Sequence, residues 1–114
     1  MENNDMRRFF GMIGMAMRAG KILCGFDTVC KAMAKGGVKL VVICSDASEA
    51  TKKRLLTKSE FYSVPVIEVP TESERLGALI GKSYAPVAIA VTDSGLSNEI
   101  KRAGENMTKG SFRA

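Results

Sequence analysis

Apolar positions along the chain follow a helical spacing in some stretches and run unbroken in others. Phe9, Ile13, Ala16 and Met17 recur at helical spacing behind Asn3, Asn4 and Asp5, any of which can cap a first helix that stops at Gly20. KILC (21–24) is a short strand that Gly25 breaks. Asp27 then stands at an N-cap position, Val29, Ala32 and Met33 form the buried stripe of a second helix, and Gly36 with Gly37 ends it. VKLVVIC (38–44) is a continuous β-branched run and predicts a strand covered on both faces.

The alternation continues downstream. Asp46 with Glu49 predicts a capped third helix reaching Tyr62, with Glu49 paired to Lys53 one turn on. VPVIEV (64–69) is the next strand, and Pro65 suits a first position or an edge. Thr71 and Glu74 form a capping box before Leu76, Leu79 and Ile80, and Gly81 closes that helix. PVAIAVT (86–92) is the last strand, and Leu96, Ile100 and Ala103 predict a final helix ending at Gly104. Helices alternating with doubly covered strands predict an α/β protein, a three-layer α/β/α sandwich around a small sheet. Residues 1–104 form one domain on this reading, and 105–114 a mobile polar tail.

Composition narrows the functional classes. The chain of 114 residues is long enough to bury one core without cross-links. Cys24, Cys30 and Cys44 are an odd number without a pairing pattern, and nothing at the start has the order of a secretory signal. A cytoplasmic protein with reduced thiols is expected, with no membrane span. With no histidine and no CxxC, no metal site is expected, and the Ser-His and Cys-His nucleophile arrangements are excluded. Neither GxGxxG nor GxxxxGK[ST] occurs, so no nucleotide cofactor is expected.

Charge and the opening of the second helix point elsewhere. The net charge of +5 is concentrated early: residues 1–44 carry seven basic residues against Glu2, Asp5 and Asp27. Such asymmetry suits a polyanion. Gly25 permits close backbone approach, and the helix start after it offers N–H groups and a positive dipole end to phosphate. Lys31 lies one turn in from Asp27, Arg18 and Lys21 flank the same end, and Asp27 and Thr28 can hydrogen-bond base edges. Asp46 and Asp93 follow strands and read as helix caps. Lys52, Lys53, Arg54 and Lys58 read as a solvated helix face, with a second RNA contact as the alternative. In the tail, Lys109 and Arg113 add loose attraction for phosphate.

MAMRAGKILCGFDTVCKAMAKGGVKLVVICSDAS, followed by TKKRLL, FYSVPVIEV and ESERLGALIGK, resembles the L7Ae/L30e ribosomal-protein family, the small bacterial members above all. The likeness runs from about residue 6 to residue 103 in order. It implies an L30e-like sandwich with a mixed sheet and a non-enzymatic RNA-binding protein. The RNA would be structured, a kink-turn or ribosomal RNA, and the assembly a ribosome or other ribonucleoprotein. The second helix would enter a major groove opened by the bend, since an undistorted A-form groove is too narrow to read.

Carried over by position, Gly25 matches the family's glycine and Lys31 its phosphate-contacting lysine. Asp27 and Thr28 stand where strong binders have Asn and Glu, so the chain departs from the family pattern at the base-reading positions. The resemblance assigns a second contact to Ser83, Tyr84, Ala85 and Pro86, with Tyr84 stacking on an extruded base. Two other classes remain open: a protein-interaction module of the same fold, and a thiol-based redox enzyme using Cys24 or Cys30 near Val64-Pro65.

Overall fold

The structure, a computed structural model, describes residues 4–81 and 86–107. Among the described residues five helices and four strands alternate: α1 (Asn4–Arg18), β1 (Ile22–Cys24), α2 (Phe26–Lys35), β2 (Leu40–Cys44), α3 (Glu49–Phe61), β3 (Val66–Val69), α4 (Ser73–Leu79), β4 (Ala88–Val91) and α5 (Ser94–Met107). The strands form one mixed sheet in the order β1-β4-β2-β3. β4 pairs antiparallel with β1, Cys24 opposite Ile89, and with β2, Val42 opposite Ile89. β2 and β3 are parallel, Val41 opposite Val66. The C-terminal ends of β1, β2 and β3 therefore share one edge, and α2, α3 and α4 all start from it.

Alternation along each strand divides the core in two. Leu40, Val42 and Cys44 of β2 with Ile89 and Val91 of β4 meet Phe9, Ile13, Leu76 and Ile100, so α1, α4 and α5 cover one face. Val41, Ile43, Ala88 and Ala90 meet Val29, Met33 and Leu55, so α2 and α3 cover the other. The expected three-layer sandwich is present, and the central strands β2 and β4 are buried throughout. At the edge, β3 alternates: Ile67 and Val69 are buried and Glu68 is exposed.

The local structure departs from the sequence expectations in four places. α2 begins at Phe26 with Gly25 as its N-cap, so Asp27 lies inside the first turn. The Gly25 amide still pairs with the Ala88 carbonyl at 3.1 Å, while its own carbonyl already accepts from Val29 at 2.9 Å. Strand pairing and helix start meet at one residue, leaving no room for Asp27 as a cap. α3 is capped by Ser48, whose hydroxyl accepts from the Thr51 amide at 3.1 Å, and not by Asp46. Lys52, not Lys53, pairs with Glu49 at 3.6 Å, because Lys52 faces β3 and also reaches Glu68 at 2.9 Å.

At α4, Glu72 stands at the N-cap without a side-chain bond, and Thr71 forms no capping box. Its hydroxyl is buried without a partner among the described residues. The Ser73 amide and hydroxyl instead donate to the two carboxylate oxygens of Asp46, at 3.0 and 2.8 Å. The fourth departure is at Gly104, which does not end α5. A Cβ there would stand 2.5 Å from Ile67 Cδ1 and 3.5 Å from Phe9 and Val69, so this glycine lets α5 lie against β3 and α1. α5 runs on to Met107, and the expected tail from residue 108 onward lies outside the described residues.

Candidate functional site

The start of α2 combines an open backbone with exposed polar side chains. Gly25 has φ 97°, a conformation that disfavours residues with a Cβ, and a Cβ there would meet nothing within 4 Å. Glycine contributes no side-chain oxygen, so among the described residues α2 has no side-chain cap bond. The first-turn amides and the positive end of the helix dipole remain available to an anion. Asp27, Thr28 and Lys31 are exposed on the following turns, whereas Val29 and Met33 anchor the helix to the sheet.

The sheet register determines what surrounds this start. Because Gly25 sits beside Ala88, the segment that leads into β4 arrives at the same edge. Pro86, in that segment, is buried, and its carbonyl accepts from the Cys44 thiol at 3.6 Å. Ser83, Tyr84 and Ala85, assigned to the second contact, lie outside the described residues.

Arg18 and Lys21 are exposed but do not gather at Gly25. The Lys21 carbonyl accepts from the Thr92 amide at 3.0 Å, which places Lys21 at the far end of β1. Three extended residues, four steps along the chain, separate Lys21 from Gly25, roughly 13 Å at a strand's rise. The expectation that they flank one end fails because β1 intervenes.

Instead, α3 supplies the cations beside α2. The Arg54 guanidinium lies 4.7 Å from the centre of the Phe26 ring, one residue from Gly25. Lys58 and Arg54 are both close enough to act on the Cys30 thiol. Lys53, Arg54, Thr57 and Lys58 line an open depression of about 390 Å³ on the outer face of α3. Lys52 does not join them, being held by Glu68 and Glu49. Arg54 and Lys58, four residues apart, share a side of α3. That this side borders Phe26 follows only from the packing of α2 against α3.

Burial governs the Cys30 and Cys44 thiols. Burial pushes the Cys30 thiol up, against the pull of Lys58 and Arg54, with Asp27 adding to the rise. The mildly lowered value that a reactive Cys30 would need is absent. Burial, reinforced by Asp46, pushes Cys44 up to about 12. Among the described residues, no group of three or more His, Cys, Asp or Glu side chains could hold a metal ion, and no helix is long and apolar enough to cross a membrane.

Comparison with known proteins agrees with this architecture. Residues 8–101 match the family model described as the ribosomal protein L7Ae/L30e/S12e/Gadd45 family. The chain is similar to the RNA-binding protein YlxQ of Bacillus subtilis (strain 168), 39% identical over 92 residues that cover 81% of this chain and 90% of that protein. It is also similar to the large ribosomal subunit protein eL30 of Pyrobaculum neutrophilum, 31% identical over 87 residues, 76% of this chain and 86% of the other. The structure of a protein of unknown function from Bacillus halodurans C superimposes with a TM-score of 0.80 at 38% identity, covering 86% of this chain and 97% of that one. The chain belongs to the L7Ae/L30e/S12e/Gadd45 family.

Proposed function

We propose that this family member is a non-enzymatic, cytoplasmic RNA-binding protein that docks the start of α2 into a sharply bent internal loop of structured RNA, a kink-turn in ribosomal or other RNA. The observation that carries the reading is the uncapped helix start at Gly25, with Asp27, Thr28 and Lys31 exposed around it. Backbone amides and Lys31 take phosphate oxygens. Asp27 accepts from guanine N–H groups, and Thr28 can donate or accept at a base edge. The names of the relatives, RNA-binding protein and ribosomal subunit protein, support RNA as the ligand and a ribonucleoprotein as its setting.

In the proposed complex, Arg54 on Phe26 lines the flank of the helix start, and Arg18 and Lys21 reach phosphates farther along the backbone. The resemblance gives Ser83, Tyr84 and Ala85 the role of covering an extruded nucleotide, while Pro86, being buried, makes no such contact.

The test is binding to a kink-turn RNA, and to the same RNA with its sheared G·A pairs replaced, titrated across salt. Tight binding that is lost with the G·A pairs is the expected result. Equal binding to both RNAs, with a steep salt dependence, would reduce the function to phosphate attraction by a basic surface.

A further inference from the structure

The outer face of α3 carries a feature that the α2 site does not use. Phe61, at the end of the helix, is 79% exposed, and Tyr62 beside it is 38% exposed. The two rings meet edge to face, with centres 4.9 Å apart and planes at 88°. Aromatic rings carry large apolar area and dominate the energetics of the interfaces they enter.

Backbone hydrogen bonds close this helix end. The Val64 amide bonds back to the Ser59 carbonyl at 2.8 Å and the Ser63 amide to Glu60 at 3.2 Å. Ser63, between them, holds φ 57°. This is a Schellman stop built on serine where glycine is usual. It presents Phe61 on the same side of α3 as Lys53 and Thr57, which precede it at steps of four residues, with Arg54 and Lys58 alongside. The face runs about 12 Å along the helix.

Cations and an exposed ring on one face suit a ligand that offers both phosphate and a flat base. Lys53, Arg54 and Lys58 form no ion pair among the described residues, and Glu49 and Glu60 of α3 border the face. A second copy of the chain is disfavoured, since a two-fold contact would set these cations against themselves. The face is also continuous with the proposed site, because Arg54 belongs to it and covers Phe26.

We infer that the outer face of α3 binds a single-stranded RNA segment running off the bent loop, with Lys53, Arg54 and Lys58 on its phosphates and a base stacked on Phe61. The inference rests on the RNA-binding reading, and it adds a single-stranded flank to the RNA the protein selects. Stacking on an aromatic ring tolerates any base, so this contact sets affinity and reach, not sequence.

Fluorescence anisotropy on the full chain tests it with four RNAs: a blunt-ended kink-turn duplex, the same duplex with an oligouridine overhang of roughly ten nucleotides at one end or at the other, and the free oligouridine. The overhang, at one end, should tighten wild-type binding about tenfold, the scale of one stacked base. Phe61→Ala should remove that gain and leave blunt-duplex binding unchanged, while Phe61→Tyr should keep it. Lys53→Ala combined with Lys58→Ala should lessen the gain and flatten the salt dependence by about 1.4 in log–log slope.

An overhang without effect would overturn the inference even if the blunt duplex binds tightly. Oligouridine binding that depends on Phe61, with no preference for the kink-turn, would support the α3 face and remove the kink-turn reading. If no RNA responds to Phe61, the inference fails and the face is left to a protein partner.

Discussion

The starts of α2 and α3 make an instructive pair. Both helices leave the same edge of the sheet and pack on the same face, yet one start is closed and the other is open. At α3, the Ser48 hydroxyl takes the Thr51 amide, and the Asp46 carboxylate just before it closes α4 through Ser73. At α2, glycine occupies the cap position and, among the described residues, no side-chain cap bond forms. Helix starts carry the same unpaired N–H groups wherever they occur. Capping them with side chains stabilises the fold by about 1 kcal/mol each. Leaving them open gives up that stabilisation and keeps the amides for a ligand. Stability and binding here draw on one physical resource, divided between neighbouring helices.

That division can be broken from either side. The largest effect is expected on the closed side: Asp46→Ala removes two hydrogen bonds from Ser73 to a carboxylate and should lower unfolding stability by about 2 kcal/mol in urea titration. RNA affinity should stay the same. A matching loss of RNA binding in the folded variant would mean that Asp46 also belongs to the site. On the open side, Lys31→Ala should weaken kink-turn binding about tenfold, equivalent to about 1.4 kcal/mol, with the urea midpoint unchanged. Unaltered affinity would separate the α2 start from the RNA.

Smaller changes sharpen the contrast. Ser48→Ala should cost about 1 kcal/mol of stability through the lost cap and nothing in binding, read by the same two measurements. Asp27→Asn supplies an amide donor and removes a negative charge facing phosphate. It should tighten kink-turn binding a few-fold, less than about 1 kcal/mol. A weaker complex would instead show that the carboxylate itself reads a base.

Much of this architecture was legible from short-range pattern. The β-branched run at 38–44 and the apolar run at 86–92 became β2 and β4, the two strands buried on both faces. The glycine-led start of α2 and the exposure of Asp27, Thr28 and Lys31 were also readable, since helical spacing separates them from Val29 and Met33. The capping assignments were harder. Asp46, Thr71 and Asp93 each precede a helix and look alike locally. Only Asp93 caps the helix it precedes, accepting from the Leu96 amide at 2.8 Å. Asp46 reaches across to α4, and the Thr71 hydroxyl points into the protein without a partner among the described residues.

The amino-acid sequence by itself determined the elements, their order and the two-sided burial of the central strands, because periodicity and turn residues act over a few neighbours. Tertiary structure alone decided which groups meet across the chain. It set Arg54 on Phe26, moved Lys21 to the far end of β1, and made Gly104 a point of close packing where a helix stop was expected. Those meetings depend on strand order and helix packing, which join residues tens of positions apart, and no local spacing encodes such a distance.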